Sequence, residues 1–289
     1  QITKGIFSLE DKTSIPLHYA DVLDYGHFEI SDIDLEVSDL IMKGNEDIAF
    51  DLDRLDFIDD KGFEVKSLTS ESTIISSEKI NFPKFSFVTD RTNLSRSIAL
   101  DFDSFDDFSN FEEKVNINAD FISSKVYFGD IMHFVEKLNR SPFFIQNKNK
   151  TVSLSGKVSG EIDNLIGQKM DIRVGEELVL DASFSTRKLT FRDREFLDIR
   201  MKNFKTNINF LKSFIPGFTP PENFDKLGEI TFSGSFYGYL KDFVVFGGLK
   251  SDMGDAFMDM RLDIKDGSSL AQYSGELSVE QFKLGEWTD

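Results

Sequence analysis

The chain is predicted to be all-β: a long, curled, mainly antiparallel sheet forming a groove with an apolar interior and one or two short amphipathic helices. Three observations predict this. Stretches such as FEVKS, INFPKFSF, IALDFDSF, KVNINADF, LDIRMKNF and MDMRLDI place a large apolar side chain at every second position, with polar residues between. Side chains alternate across a strand, so each stretch has one oily face and one wet face. Turn signals then separate the stretches every 8 to 15 residues or so, which suits hairpins and meanders rather than crossovers. Finally, the beat runs from Phe28 to Phe282 with almost no helical sequence to cover the oily side.

Taken in chain order, the first elements show the beat slipping. In EISDIDLEV the apolar parity moves from Phe28 and Ile30 to Ile33, Leu35 and Val37; in DLDRLDF it moves from Leu52 to Leu55 and Phe57. A one-residue slip that keeps the oily side chains on one face predicts a bulge or a strand end. Turns are predicted at Asp59-Asp60-Lys61-Gly62, Asp90-Arg91-Thr92-Asn93, Gly175-Glu176-Glu177, Arg192-Asp193-Arg194 and Lys265-Asp266-Gly267. Residues 130–138 place Ile131, Phe134, Val135 and Leu138 at helical spacing behind Asp130 as N-cap. Residues 207–215 do the same behind Asn207, and each segment leads to a proline, Pro142 and Pro216. The 77-residue offset between Asn207 and Asp130 reads as a weak internal repeat. Gly156, Gly160, Gly234 and Gly238 lie in alternating sequence and mark bulges or close backbone approach. The template counts on the order of 20 short strands in one continuous unit, 1–289. With no Met at Gln1 and strand-like sequence from the outset, the chain reads as an internal piece of a longer protein.

Composition narrows the function. The chain has 289 residues, 40% hydrophobic and 29% charged, ordinary values for a folded protein. Its 31 Phe against 6 Tyr and one Trp are not ordinary. Phe supplies apolar area without a polar handle, so it suits lipid chains or a dry core better than a wet sugar or protein surface. A net charge of −18 argues against nucleic acid and anionic membrane surfaces as partners. There is no cysteine, hence no disulfide or thiol chemistry. No apolar run reaches the roughly 20 residues a bilayer span needs.

No catalytic constellation is found. His18, His27 and His133 lack partners at metal-binding spacing. Adjacent acids such as Asp59-Asp60, Asp106-Asp107 and Glu112-Glu113 would face opposite ways on a strand and make poor acid/base dyads. Asp101, Asp103, Asp107 and Glu112 match positions 1, 3, 7 and 12 of a calcium loop. Phe105 at position 5 and Asp106, where the loop needs Gly, break the match. The glycine pairs do not lie between a strand and a helix, so they are not phosphate loops. No cofactor is expected.

What remains is an uncovered oily sheet. About 20 strands at ~4.8 Å each would extend roughly 95 Å, and twist would curl such a sheet into a trough. The residues expected to line it are Phe85, Phe87, Leu100, Phe102, Ile117, Phe121, Ile172, Leu180, Phe184, Ile199, Met201, Phe232, Phe236, Met260 and Leu262. Each would equally suit a core position in a closed sandwich or barrel.

The run LSGKVSGEIDNLIGQKMDIRVGEELVLDASFS, followed by LGEITFSGSFYGYLKDFVVFGGLKSDMGDAFMDMRLDI, resembles the β-groove region of TamB-like proteins within the AsmA-like group. The likeness lies in G-x-V-x-G-x-(I/V)-x-N-L at Gly156 to Leu165, L-G-x-I-x-F-x-G-x-F-x-G at Leu227 to Gly238, and its continuation from Asp242 to Gly254. It covers the second half of the chain. The resemblance implies a taco-shaped groove in the periplasm, anchored in the inner membrane through an N-terminal segment absent here. It also implies transport of phospholipid toward the outer membrane, and an outer-membrane barrel partner of the TamA or BamA type that contacts parts of the chain not present. Two other readings stand beside it. One is a scaffold for outer-membrane barrel assembly whose strand edges pair with client strands; the other is a sealed sandwich or solenoid adhesin acting through its loops.

Overall fold

The alternation becomes fifteen antiparallel strands among the described residues, which in this computed structural model are 1–13, 15–17, 21–43, 47–191, 193–264 and 271–288. The chain divides into two compact units. Unit 1, Gln1–Arg140 with Lys148–Ile162, contains β1 (Ile2–Glu10), β2 (His27–Lys43), β3 (Asp47–Asp59), β4 (Glu64–Ile75), β5 (Lys79–Val88), β6 (Asn93–Asp101), β7 (Asn116–Tyr127) and β8 (Thr151–Gly160). Unit 2, Ser141–Asn147 with Asp163–Asp289, contains β9 (Ile166–Val174), β10 (Leu178–Arg187), β11 (Phe196–Asn207), β12 (Glu229–Tyr239), β13 (Asp242–Ser251), β14 (Gly254–Ile264) and β15 (Ala271–Glu280). In each unit the strands pair in sequence order and the first does not meet the last, so neither is a closed barrel.

There are fifteen strands rather than about twenty because slips in the beat do not end a strand. β2 runs for 17 residues and absorbs three register shifts, at Ser31/Asp34, Glu36/Val37 and Ser38/Ile41. β3 shifts against β4 around Leu52, Leu55 and Phe57, where its parity slips. The extra residue at these bulges takes a left-handed conformation: Lys4, Asp32, Asp39, Ser72, Ser123 and Lys169 have φ between 47° and 55°. A bulge strands one backbone N–H. A side chain from the neighbouring strand takes it up: Asp34 accepts from Lys4 N at 3.0 Å, Ser155 from Ser123 N at 2.8 Å, Ser183 from Lys169 N at 3.3 Å, and Asp51 from Ser72 N. The Asp and Ser residues of the wet face thus complete the ladder where it breaks.

Glycine plays a different part in unit 2. Gly234 pairs with Gly247, and a Cβ on Gly234 would lie 2.0 Å from the Phe246 carbonyl oxygen and 2.8 Å from Phe232 Cζ. A Cβ on Gly167 would lie 2.3 Å from the ring of its ladder partner Phe184. Two phenylalanines therefore lie over bare backbone and fill the space a missing side chain leaves.

The turns at 59–62, 90–93 and 175–177 connect β3–β4, β5–β6 and β9–β10, with Gly62 and Gly175 at φ 82° and 57°. Arg192 and the turn Lys265-Asp266-Gly267 lie outside the described residues, as does His18. Both stretches at helical spacing form short helices. In α4 (Ile208–Phe214), the Asn207 side chain accepts from Phe210 N at 2.8 Å. Asp130 is not a cap, however. With α1 at Phe111–Lys114, helix α2 spans Phe128–Phe134 behind Tyr127, and the Asp130 carboxylate instead accepts from the Thr89 hydroxyl at 2.6 Å. Among the described residues the other α-helices are α3 (Pro142–Asn147) and α5 (Leu284–Thr288), and four short 3-10 helices lie at Phe105–Asn110, Glu136–Arg140, Ile162–Asn164 and Glu222–Leu227.

Substituting Gly234→Ala should lower stability in chemical denaturation by about 1–3 kcal/mol through overpacking. Gly248→Ala, where a Cβ meets nothing within 4 Å, should leave the midpoint nearly unchanged. Equal effects at the two positions would contradict this ladder.

Candidate functional site: an apolar face in each unit

Residues directly opposed in an antiparallel ladder share a face, so register decides which predicted residues belong together. In unit 2 one row crosses every strand: Ile172, Leu180, Phe204, Phe232, Leu249, Ala256, Val279. The next row is Met170, Ala182, Met201, Gly234, Gly247, Met258, Leu277, and the third is Gly167, Phe184, Ile199, Phe236, Val245, Met260, Gly275. A fourth contains Leu197, Gly238, Phe243, Leu262 and Tyr273. The first three rows contain no polar side chain. All nine residues expected here lie on this face: Ile172, Leu180, Phe184, Ile199, Met201, Phe232, Phe236, Met260 and Leu262. Phe232 is buried and the other eight are half-buried. At ~4.8 Å between strands and ~6.8 Å between rows, the surface measures about 29 by 20 Å.

The opposite face carries Ser233, Ser235, Asp255, Asp259, Arg261, Ser274, Glu276 and Glu280 in the same registers, together with the exposed Tyr237, Val244, Phe246 and Phe257, of which Phe246 and Phe257 meet edge to face at 5.2 Å. One end of the apolar face is closed by α4 and α5, where Ile208, Leu227, Ile230 and Met253 form a buried cluster with Leu211, Phe224, Leu249, Phe282 and Trp287.

Unit 1 repeats the pattern with interruptions. Met42, Ile48, Ile75, Ile80, Leu100, Ile117 and Gly160 form one row; Ile2, Leu35, Leu55, Leu68, Phe87 and Leu94 form another. Between them runs Val37, Leu52, Ser70, Phe85, Arg96, Phe121, Gly156. Arg96 breaks that row: its φ is 114° and its guanidinium pairs with Asp120 at 3.3 Å. Phe85, Phe87, Leu100, Ile117 and Phe121 thus hold ladder positions on the apolar face. Phe102 does not. It lies past the end of β6, buried against Phe105 and Phe108 at ring distances of 5.1 and 5.0 Å. The acids once compared with a calcium loop serve this aromatic turn, where the Asp107 carboxylate accepts from Asp103 N and Ser104 N and pairs with Lys114 at 2.9 Å.

The expectation that helix is too scarce to cover the oily side needs correction in unit 1. The β6–β7 connection (102–115) and residues 128–140, the first part of the β7–β8 connection, leave opposite ends of the sheet, and they meet where Lys137 Nζ pairs with Glu112 at 2.9 Å and Glu113 at 2.6 Å. Burial works against the Lys137 charge, but the two carboxylates outweigh it and raise its pKa. The Lys137 hydrogen bond holds the Glu113 carboxyl below the usual range. Beneath and beside these segments Leu52, Phe85, Ala119, Val126 and Val152 are buried, while Lys66, Lys84, Asn118 and Lys125 on the wet face are exposed.

Periodicity missed Phe204, Phe243, Val245 and Leu249. A bulge between Met201 and Phe204 shifts the parity, and β13 (DFVVFGGLKS) has apolar residues at both parities. His27 pairs with Asp24 at 3.2 Å in the β1–β2 loop, and His133 is buried against Asp59. No family model, curated protein or solved structure matches this chain.

If register sets the packing, Phe232→Ala should cost about 3–5 kcal/mol in denaturant unfolding, as for a buried Phe. Met260→Ala should cost roughly half as much, because part of that side chain is already in water. A larger loss at Met260 would place it in a sealed core.

Proposed function

We propose that this chain is a segment of a non-enzymatic periplasmic bridge that carries phospholipid between inner and outer membrane and so contributes to outer-membrane biogenesis. The observation that carries this reading is the apolar face of unit 2, with three rows free of polar side chains and eleven large residues left only half-covered by protein. A sealed core would bury them. A surface evolved only for solubility would not line them up.

The energetics suit acyl chains. Each methylene removed from water is worth ~0.8 kcal/mol, so two chains of about 16 carbons represent on the order of 25 kcal/mol. That cost opposes passage of phospholipid through water, and a continuous apolar face lowers it without any catalytic group while the head group stays in solvent. The likeness of Gly156–Leu165 and Leu227–Gly254 to TamB-like sequences supports the same reading. In this reading the chain is held to the inner membrane by a preceding segment, and an outer-membrane barrel of the TamA or BamA type engages parts beyond these residues.

A scaffold for barrel assembly draws on one observation. Edge strand β15 leaves Tyr273, Leu277 and Val279 exposed at alternate positions, which suits an added strand. Glu276 and Glu280 on the same strand weigh against it.

Purified protein analysed by native mass spectrometry should carry phospholipid, and Phe236→Asp should reduce the bound fraction at least about tenfold with the circular dichroism of the sheet retained. Lipid-free protein, or an insoluble Phe236→Asp variant, would contradict the proposal. Crosslinks from Tyr273 to unfolded barrel strands would favour the scaffold.

A further inference from the structure

We infer that residues 128–140 form a lid over the apolar face of unit 1, latched by the buried contact between His133 and the Asp59 carboxylate and loosened when that contact is lost. In a flat sheet the end of β3 and the end of β7 would stand about 19 Å apart, four strand spacings. Residues 128–133 leave β7 and bring the His133 ring to the β3–β4 turn. His133 Nε2 lies 2.8 Å from Asp59 Oδ2 in the β3–β4 turn, and both side chains are almost wholly buried.

The chemistry of the ring sets its charge. His133 Nδ1 lies 2.9 Å from the Asp21 carbonyl oxygen, which can only accept, so Nδ1 carries a proton. A neutral ring would then aim the bare Nε2 lone pair at a carboxylate. Imidazolium satisfies both contacts. Neither Nε2 nor Oδ2 has another hydrogen-bond partner among the described residues. The pair therefore depends on charge. Phe63 stacks on the ring at 4.3 Å and excludes water from one side.

Other groups face the latch from each packed element. The β3–β4 turn brings Asp60 and Lys61, and the β1–β2 loop brings Asp21, Asp24, Tyr25 and His27. Glu112 and Glu113 come from α1, Asp130 and Lys137 from the lid itself, and Lys148 pairs with Asp21 at 2.9 Å. The Tyr25 hydroxyl donates to the Phe134 carbonyl at 3.0 Å; burial, then Glu112, raises its pKa and keeps it neutral. Asp59 Oδ1 accepts from Lys61 N and Phe63 N, so its turn persists without the latch.

Burial disfavours the Asp59 charge, but the bond from His133 and the Phe63 and Lys61 amides outweigh it and hold the carboxyl below its usual range. A depressed carboxyl contributes stability above its unfolded pKa and loses it as pH falls through the folded one. The lid should thus loosen as pH falls through the Asp59 range.

What the lid admits rests on the lipid reading; the lid itself does not. In the full chain, hydrogen-exchange protection factors of amides 129–138 measured from about pH 7 down to about pH 3 should fall as pH is lowered. His133→Gln should lower them at least about tenfold at neutral pH, and Asp59→Asn should flatten the fall with pH. Both should raise binding of an anilinonaphthalene sulfonate dye while β7 and β8 amides keep their protection. A flat profile in the parent protein, or loss of β7 and β8 protection together with the lid, would overturn the inference. Phospholipid retained or absent in mass spectrometry reports separately on the lipid reading.

Discussion

Register is the constraint on which the rest depends. Because opposed residues in an antiparallel ladder share a face, a single residue of slip in any strand would turn its oily side chains into water. In unit 2, seven strands keep three rows in register from Ile172, Met170 and Gly167 to Val279, Leu277 and Gly275. That continuity makes one broad apolar surface out of short two-sided segments. It also leaves Asp255, Asp259, Glu276 and Glu280 together on the other face.

Two devices protect register where strands must bend. Unit 1 inserts left-handed residues such as Lys4, Ser72 and Ser123 and returns their stranded amides to Asp34, Asp51 and Ser155. Unit 2 relies more on glycine, with Phe184 over Gly167 and Phe232 over Gly234. The units also treat their apolar faces differently. Among the described residues, unit 2 has one end closed by the cluster around Leu227 and Trp287, whereas unit 1 lays two connections across its sheet and joins them through Lys137.

Much of this was legible in the sequence because the strand period is short and local. The parity slips at Ile33 and Leu55 marked bulges, Asn207 marked a cap, and Gly234 and Gly238 marked close backbone approach. What was not legible is long-range. His133 and Asp59 are far apart in sequence and meet only through folding. Asp130 has the composition of a cap, but the helix starts earlier because Phe128 N and Gly129 N bond to the carbonyls of Lys150 and Lys148. Phe102 keeps the beat of β6 yet leaves it, since the aromatic turn through Phe105 and Phe108 offers a drier site than the strand end.

The row-bearing face of unit 2, and not its reverse, is the surface proposed to meet acyl chains. A photo-crosslinking side chain placed at Ile199 and, separately, at its neighbour Arg200, which pairs with Ser235 on the wet face, tests it most directly. Labelled phospholipid should crosslink at Ile199 and not at Arg200. Equal crosslinking at the two positions, or none at Ile199 in folded protein, would contradict the account.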